Sequence, residues 1–129
     1  MSELNFPSVE VIENILSEII DEIPEPFFEG LNGGIILVES PKPHPQSQAQ
    51  LPLYIMGEYV SNALGKQIKI YYGSFKKVHP DASLESLKAL LKHTLIHEFT
   101  HHLEYRAGLR DLEIQDAKDL QHYKSKLKG

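Results

Sequence analysis

Apolar positions recur at helical spacing near the start of the chain. Val11, Ile12, Ile15, Leu16, Ile19, Ile20 and Ile23 form one stripe, with Glu10, Glu13, Glu18 and Glu22 on the other side. Ser8 can cap this helix, and Pro24 ends it, because proline disfavours helical geometry in the residue before it. Pro24 to Gly34 reads as a connection, and Ile35 to Glu39 as a short β-branched strand. The next stretch, Ser40 to Pro52, places Pro41, Pro43, Pro45 and Pro52 among Gln and Ser. It has no core-forming residue until Leu51, so an exposed loop or partly mobile flap is expected. Two further strands are predicted. Tyr54 to Val60 is interrupted by Gly57; Gln67 to Phe75 sets Ile68, Ile70 and Tyr72 against Gln67, Lys69 and Tyr71. Ser61 to Gly65 supplies the turn between them.

The longest periodic segment follows Pro80. A helix capped by Asp81 or Ser83 is expected to run to about Ala107, burying Leu84, Leu87, Leu91, Leu95, Phe99 and Leu103, with Gly108 as its stop. A last helix is expected from about Asp111 to Lys126, acidic at its start and basic at its end, as the helix dipole prefers. The order is α-β-β-β-α-α, an α+β domain spanning residues 1–129 without internal repeats.

Composition narrows the possible functions. The chain has 129 residues, 41% hydrophobic and 24% charged, with a formal net charge of −5. That suits one globular domain and argues against nucleic acid, whose phosphates demand a basic face. The Lys76-Lys77 and Lys124 to Lys128 clusters are too small to change this. No apolar run approaches the roughly 18 residues of a membrane span. Met1 to Pro7 lacks the basic start and apolar stretch of a secretory signal. Cysteine is absent, which excludes disulfides, thiolate catalysis and cysteine-bound zinc. A cytoplasmic protein is expected.

Histidine is concentrated late in the chain, at His93, His97, His101, His102 and His122. Within the long helix the sequence reads His97-Glu98-Phe99-Thr100-His101. Histidines four apart project from one face, about 40° apart around the axis and about 6 Å along it. Both imidazoles can then reach one zinc ion, and Glu98, beside the first, can take a proton from water at the ion without being a ligand. On a helical wheel the apolar stripe centres roughly 160–180° from His97, while His93, His97, His101 and Glu104 share the opposite side. The competing reading is a histidine-rich solvated face. His44 is more simply a solvated loop histidine than a ligand. His93 is either an accessory to the pair or a solvated helix residue, and His102 is expected to be structural. Tyr105, His122 and Tyr123 are candidate hydrogen-bond donors to a transition state, or ordinary packed and surface side chains.

These residues resemble the minimal zincin-fold metallopeptidases, small bacterial proteins of about this length. The likeness rests on the run His93 to His102, on Gly57-Glu58-Tyr59, and on Gln67-Ile68-Lys69-Ile70-Tyr71-Tyr72-Gly73. It implies a zincin-like fold, its small sheet packed on the HExxH helix, and a zinc-dependent peptidase. In that family the second histidine is followed closely by a glycine and then by an aspartate that completes the zinc site. Here Leu103-Glu104-Tyr105-Arg106-Ala107 precedes Gly108-Leu109-Arg110-Asp111, roughly one extra helical turn. Asp111 matches the aspartate by pattern. If the last helix returns antiparallel, however, it regains the height of His101 near Asp116. Asp116 is therefore the first choice for third ligand, with Glu113 and Asp111 as alternatives and Glu104 a further candidate. The plainer readings are an N-cap for Asp111 and ordinary first-turn acids for Glu113 and Asp116.

The expected activity is hydrolysis of a peptide or protein substrate, with Zn2+ held by His97, His101 and an acid, Glu98 as general base, and the edge of Tyr54 to Val60 pairing the extended substrate. The alternative is a non-catalytic metal-binding regulatory or interaction protein of the same fold. Intact Glu98 favours the enzyme.

Overall fold

A computed structural model of the chain describes residues 6–110. Helix α1 (Val9–Glu22) starts where Ser8 Oγ accepts the Val11 N–H at 3.3 Å, and Ile23 caps its end in extended geometry. Its expected stripe is the buried one: Ile12, Ile15, Leu16 and Ile19 lie inside. A 3-10 turn, Glu25–Phe28, tightens the connection that follows.

Five strands come next: β1 (Gly34–Val38), β2 (Lys42–Pro43), β3 (Tyr54–Ile55), β4 (Gly57–Asn62) and β5 (Gly65–Tyr71). A three-stranded sheet has the order β1-β5-β4, with β1 parallel and β4 antiparallel to β5. The proline-rich segment is more ordered than its composition suggests. Lys42 and Pro43 pair with Ile55 and Tyr54 in a separate two-stranded ladder, closed by the His44 N–H donating to the Leu53 carbonyl at 2.9 Å. The break in the second expected strand falls at Met56, just before Gly57, where the chain leaves β2 for β5. The Met56 carbonyl still accepts the Tyr71 N–H at 2.9 Å.

Two element boundaries differ from expectation. The strand expected to reach Phe75 ends at Tyr71, and Tyr72–Val78 form helix α2. Gly73, Ser74 and Phe75 are all buried, which a strand with one solvated face cannot achieve. Gly73 lets α2 lie directly on the backbone of Ser40 and Pro41, and Ser74 Oγ accepts the Lys42 N–H at 3.0 Å. Helix α3 (Leu84–Arg110) passes through Gly108 instead of stopping there. Gly108 lies in the last described turn of α3, and a glycine inside a helix costs only about 1 kcal/mol against alanine. Ser83 caps its start, its Oγ accepting the Ser86 N–H at 3.1 Å. The expected helix from Asp111 to Lys126 lies outside the described residues.

The core forms between α1, α3 and the inner face of β5. Leu87, Leu91, Leu95 and Phe99 supply one side, Ile68 and Ile70 the other, with α1 packed alongside. The ends of the expected α3 stripe differ from its centre, since Leu84 is 55% exposed while Leu87, Leu91 and Leu95 are at 0%. Lys88 and Lys92 meet Glu18 and Glu22 across the α1–α3 seam, but these pairs are exposed and contribute little. Among the described residues no helix is long and apolar enough to cross a membrane.

Strand β4 approaches α3 so closely that Gly57 has no room for a side chain. A Cβ there would sit 2.6 Å from Thr94 Cγ2 and 3.3 Å from Ile70 Cδ1. Gly57→Ala is therefore expected to destabilise the fold by about 1–3 kcal/mol, the usual cost of overpacking, as read from urea denaturation. Adding Thr94→Ser, which removes the methyl group, should recover much of the loss. A Gly57→Ala protein as stable as the parent would show that this contact does not set the strand's position.

Candidate metal and catalytic site

Helix α3 presents different rows of side chains to core, strand and solvent. Leu91, Leu95 and Phe99 face the core, while His97 and His101 lie on an exposed row. Between these rows, Thr94, Glu98 and His102 recur at four-residue spacing on the side facing β4. The two exposed imidazoles converge: Nε2 of His97 and Nε2 of His101 are 3.1 Å apart, with the rings nearly perpendicular. Two ligands of a tetrahedral zinc at about 2.0–2.1 Å stand about 3.3 Å apart. The pair therefore fits one such ion.

The pair opens into a groove of about 490 Å³ lined by Ile55, Gly57, Glu58, Tyr59, His97, Glu98 and His101. Its far wall is an edge strand, since β4 pairs with β5 on one side only. Antiparallel pairing alternates, so with Asn62 opposite Gly65 across the hairpin, the backbone groups of Gly57, Tyr59 and Ser61 point away from β5.

Glu98 lies at the bottom of this groove, 6% exposed. Burial holds its carboxyl above the ordinary range and the Glu58 charge adds to the rise, while the charge of His101 and the Tyr59 backbone N–H act the other way. Glu58 is the reverse case. Burial alone would raise it, but hydrogen bonds from Lys42 Nζ at 2.9 Å and Tyr71 OH at 2.8 Å, with the Lys42 and Lys69 charges, hold it below its usual value. The groove thus has one carboxyl whose proton affinity is raised and one whose proton affinity is lowered.

His102 is fully buried and ties three segments together. Its Nε2 is 2.8 Å from the Glu29 carbonyl, which can only accept, so Nε2 carries the proton. Burial disfavours the charged ring, helped by Arg106 and Lys66 and opposed by the Glu29 bond. Nδ1 of the neutral ring then accepts from the Tyr59 hydroxyl at 2.7 Å. Gly30, at φ +83, lies against the same ring, where a Cβ would meet Cε1 at 3.6 Å. His102 is structural, as expected, but it also holds the strand that forms the groove wall. Nothing in the sequence pairs it with Tyr59, because the partners are 43 positions apart.

The structure brings His97, Glu98 and His101 together and leaves most other candidates elsewhere. His93 is exposed and does not line the groove. His44 Nδ1 accepts the Gln46 N–H at 3.0 Å within its own loop. Tyr105 is 38% exposed, its ring 6.3 Å from that of Tyr59 and covered by Lys66 Nζ at 5.0 Å. Glu104 lies beside His101, 3.6 Å from Nδ1. Asp111, Glu113, Asp116, His122 and Tyr123 lie outside the described residues. Among the described residues no third His, Cys, Asp or Glu completes a metal-binding group.

An α+β chain with a mixed sheet laid against a long HExxH helix has the zincin-like fold. Residues 35–120 match the Zincin-like metallopeptidase family, and the chain belongs to it. It is also similar to a solved structure, a conserved hypothetical protein from Thermus thermophilus, at 32% sequence identity and a TM-score of 0.68. That match covers 81% of this chain and 100% of the other. No curated protein matches the chain.

The His102–Tyr59 bond is testable by stability alone. Tyr59→Phe leaves a buried Nδ1 without a donor, which should cost about 1–3 kcal/mol. His102→Ala should cost more, and the double variant should fall short of the sum by about 0.5–3 kcal/mol. Strict additivity in urea denaturation would mean that the two side chains do not act through each other.

Proposed function

We propose that the chain is a zinc-dependent metallopeptidase in which His97 and His101 hold the ion and Glu98 is the general base. The carrying observation is the 3.1 Å Nε2 pair opening onto a groove that also contains a buried carboxyl with raised proton affinity. Zinc held there would supply a Lewis acid for the scissile carbonyl and make water acidic near neutral pH. The chain's own residues do the rest. Glu98, out of bulk solvent and anchored by the Tyr59 N–H, accepts the proton of the attacking water and delivers it to the leaving amine. With the Tyr59 N–H turned to Glu98, the outward backbone groups of Gly57 and Ser61 on either side of it are the ones that pair an extended peptide.

Asp116 is proposed as third ligand, with Glu113 and Asp111 as alternatives; all three lie outside the described residues.

Purified protein is expected to bind one zinc per chain, and His97→Ala or His101→Ala to abolish binding. Stoichiometric zinc in the double alanine variant, by metal analysis, would overturn the site. Asp116→Ala or Glu113→Ala should weaken zinc more than Asp111→Ala does, measured by chelator competition; the reverse order would mean that the chain turns back sharply after Arg110. Glu98→Gln should retain zinc while peptide cleavage falls about 10²–10⁴-fold, the usual contribution of general acid–base catalysis. Cleavage at the parental rate would remove Glu98 from the mechanism. Full zinc occupancy without cleavage across a diverse peptide library would favour a metal-binding regulatory protein.

A further inference from the structure

We propose that Glu104 is a positioning residue for His101, fixing the tautomer in which Nε2 is free to bind metal. The inference rests on the reading of His97 and His101 as ligands. Glu104 lies one turn beyond His101 on the helix and, despite its place on the polar row, its side chain is only 13% exposed. Its Oε1 is 3.6 Å from His101 Nδ1, while the opposite nitrogen of the same ring faces His97. At 3.6 Å the contact is electrostatic rather than a hydrogen bond, and a small side-chain rotation closes it.

The chemistry of the two groups sets the direction of the effect. A neutral imidazole has one N–H and one lone pair, and a carboxylate accepts only. Glu104 therefore favours the proton on Nδ1 and leaves the lone pair on Nε2, the nitrogen that faces His97. A carboxylate behind a ligating histidine also makes the ligand more basic. Because it sits on the far side of the ring from the shared Nε2 position, Glu104 is not itself a ligand in this arrangement. Among the described residues His101 alone of the pair has a carboxylate at Nδ1. His101 is then the ligand prepared in advance. His97 is the one that donates Nε2–H across the 3.1 Å contact when no ion is present.

Zinc affinity of the full chain, with Zn2+ alone as probe and a chromophoric chelator as competitor, tests this directly. Gln can still accept the Nδ1 proton but is a poor metal ligand. Glu104→Gln is therefore expected to bind zinc within about threefold of the parent, and Glu104→Ala about 10–100-fold more weakly, the range found when such outer partners are removed. Long-range ¹H–¹⁵N spectra of the metal-free protein should show His101 protonated at Nδ1 in the parent and in Glu104→Gln, and mixed tautomers in Glu104→Ala. Parental zinc affinity in Glu104→Ala would overturn the proposal. So would a loss in Glu104→Gln as large as in Glu104→Ala, which would make Glu104 a ligand. If His101→Ala also binds zinc as the parent does, the metal site itself is wrong. That outcome is distinct from a failure confined to Glu104.

Discussion

The groove depends on how closely strand β4 approaches helix α3. Three successive residues of one α3 row make that approach: Thr94 against Gly57, Glu98 at the Tyr59 N–H, and His102 at the Tyr59 hydroxyl. Two of the three are buried polar groups, which cost stability unless partnered. Tyr59 bonds His102 through its hydroxyl at 2.7 Å, and its backbone opposes the rise in proton affinity of Glu98. The strand is therefore held by the polar groups it buries, and the groove has a fixed wall. With the core row on one side of this row and the histidine row on the other, a single helix supports the fold, the wall and the site.

The same approach divides the labour between the two carboxyls in the groove. Glu98 loses water because β4 covers it, and its carboxyl gains proton affinity. Glu58, on β4 itself, is kept ionised by Lys42 and Tyr71. Environments that push two nearby carboxyls apart are a mark of acid–base assignment. Here the carboxyl with the raised proton affinity is Glu98, the group proposed above as general base. Glu58 instead anchors Lys42, and through it the β2–β3 ladder, to the edge strand. Ile55 of that ladder lines the groove, so this ion pair lies beside the mouth of the site.

Much of this is legible in the sequence because it depends on local periodicity. The α1 stripe, the α3 core row and the opposed row of His97 and His101 follow from 3.6-residue spacing, and the burial of Leu87, Leu91, Leu95 and Phe99 agrees. What cannot be read depends on long-range contact. Helix α2 resembles a continuing strand because Tyr71, Tyr72 and Phe75 are apolar enough for either, and only the backbone of Ser40 and Pro41 selects the helix at Gly73. Gly108 resembles a stop when the cost of glycine is weighed without the strong helix formers around it. His102 is recognisable as structural, since it points about 100° from His101 on the wheel. Its bond to Tyr59 is not, because sequence carries no record of a partner on another element.

The histidine pair stands outside everything that stabilises the described fold. His97 and His101 are exposed, while the core row and the Tyr59–His102 bond lie on other sides of α3. In small structural zinc sites the ion supplies folding energy and the apo chain is unfolded. Here, among the described residues, α1, α3 and β5 close a core that does not include the pair. The histidines are nevertheless preformed, their Nε2 atoms at ligand spacing on a rigid helix, so little ordering remains to oppose binding. An ion held by His97 and His101 would therefore serve the chemistry of the groove rather than the stability of the fold.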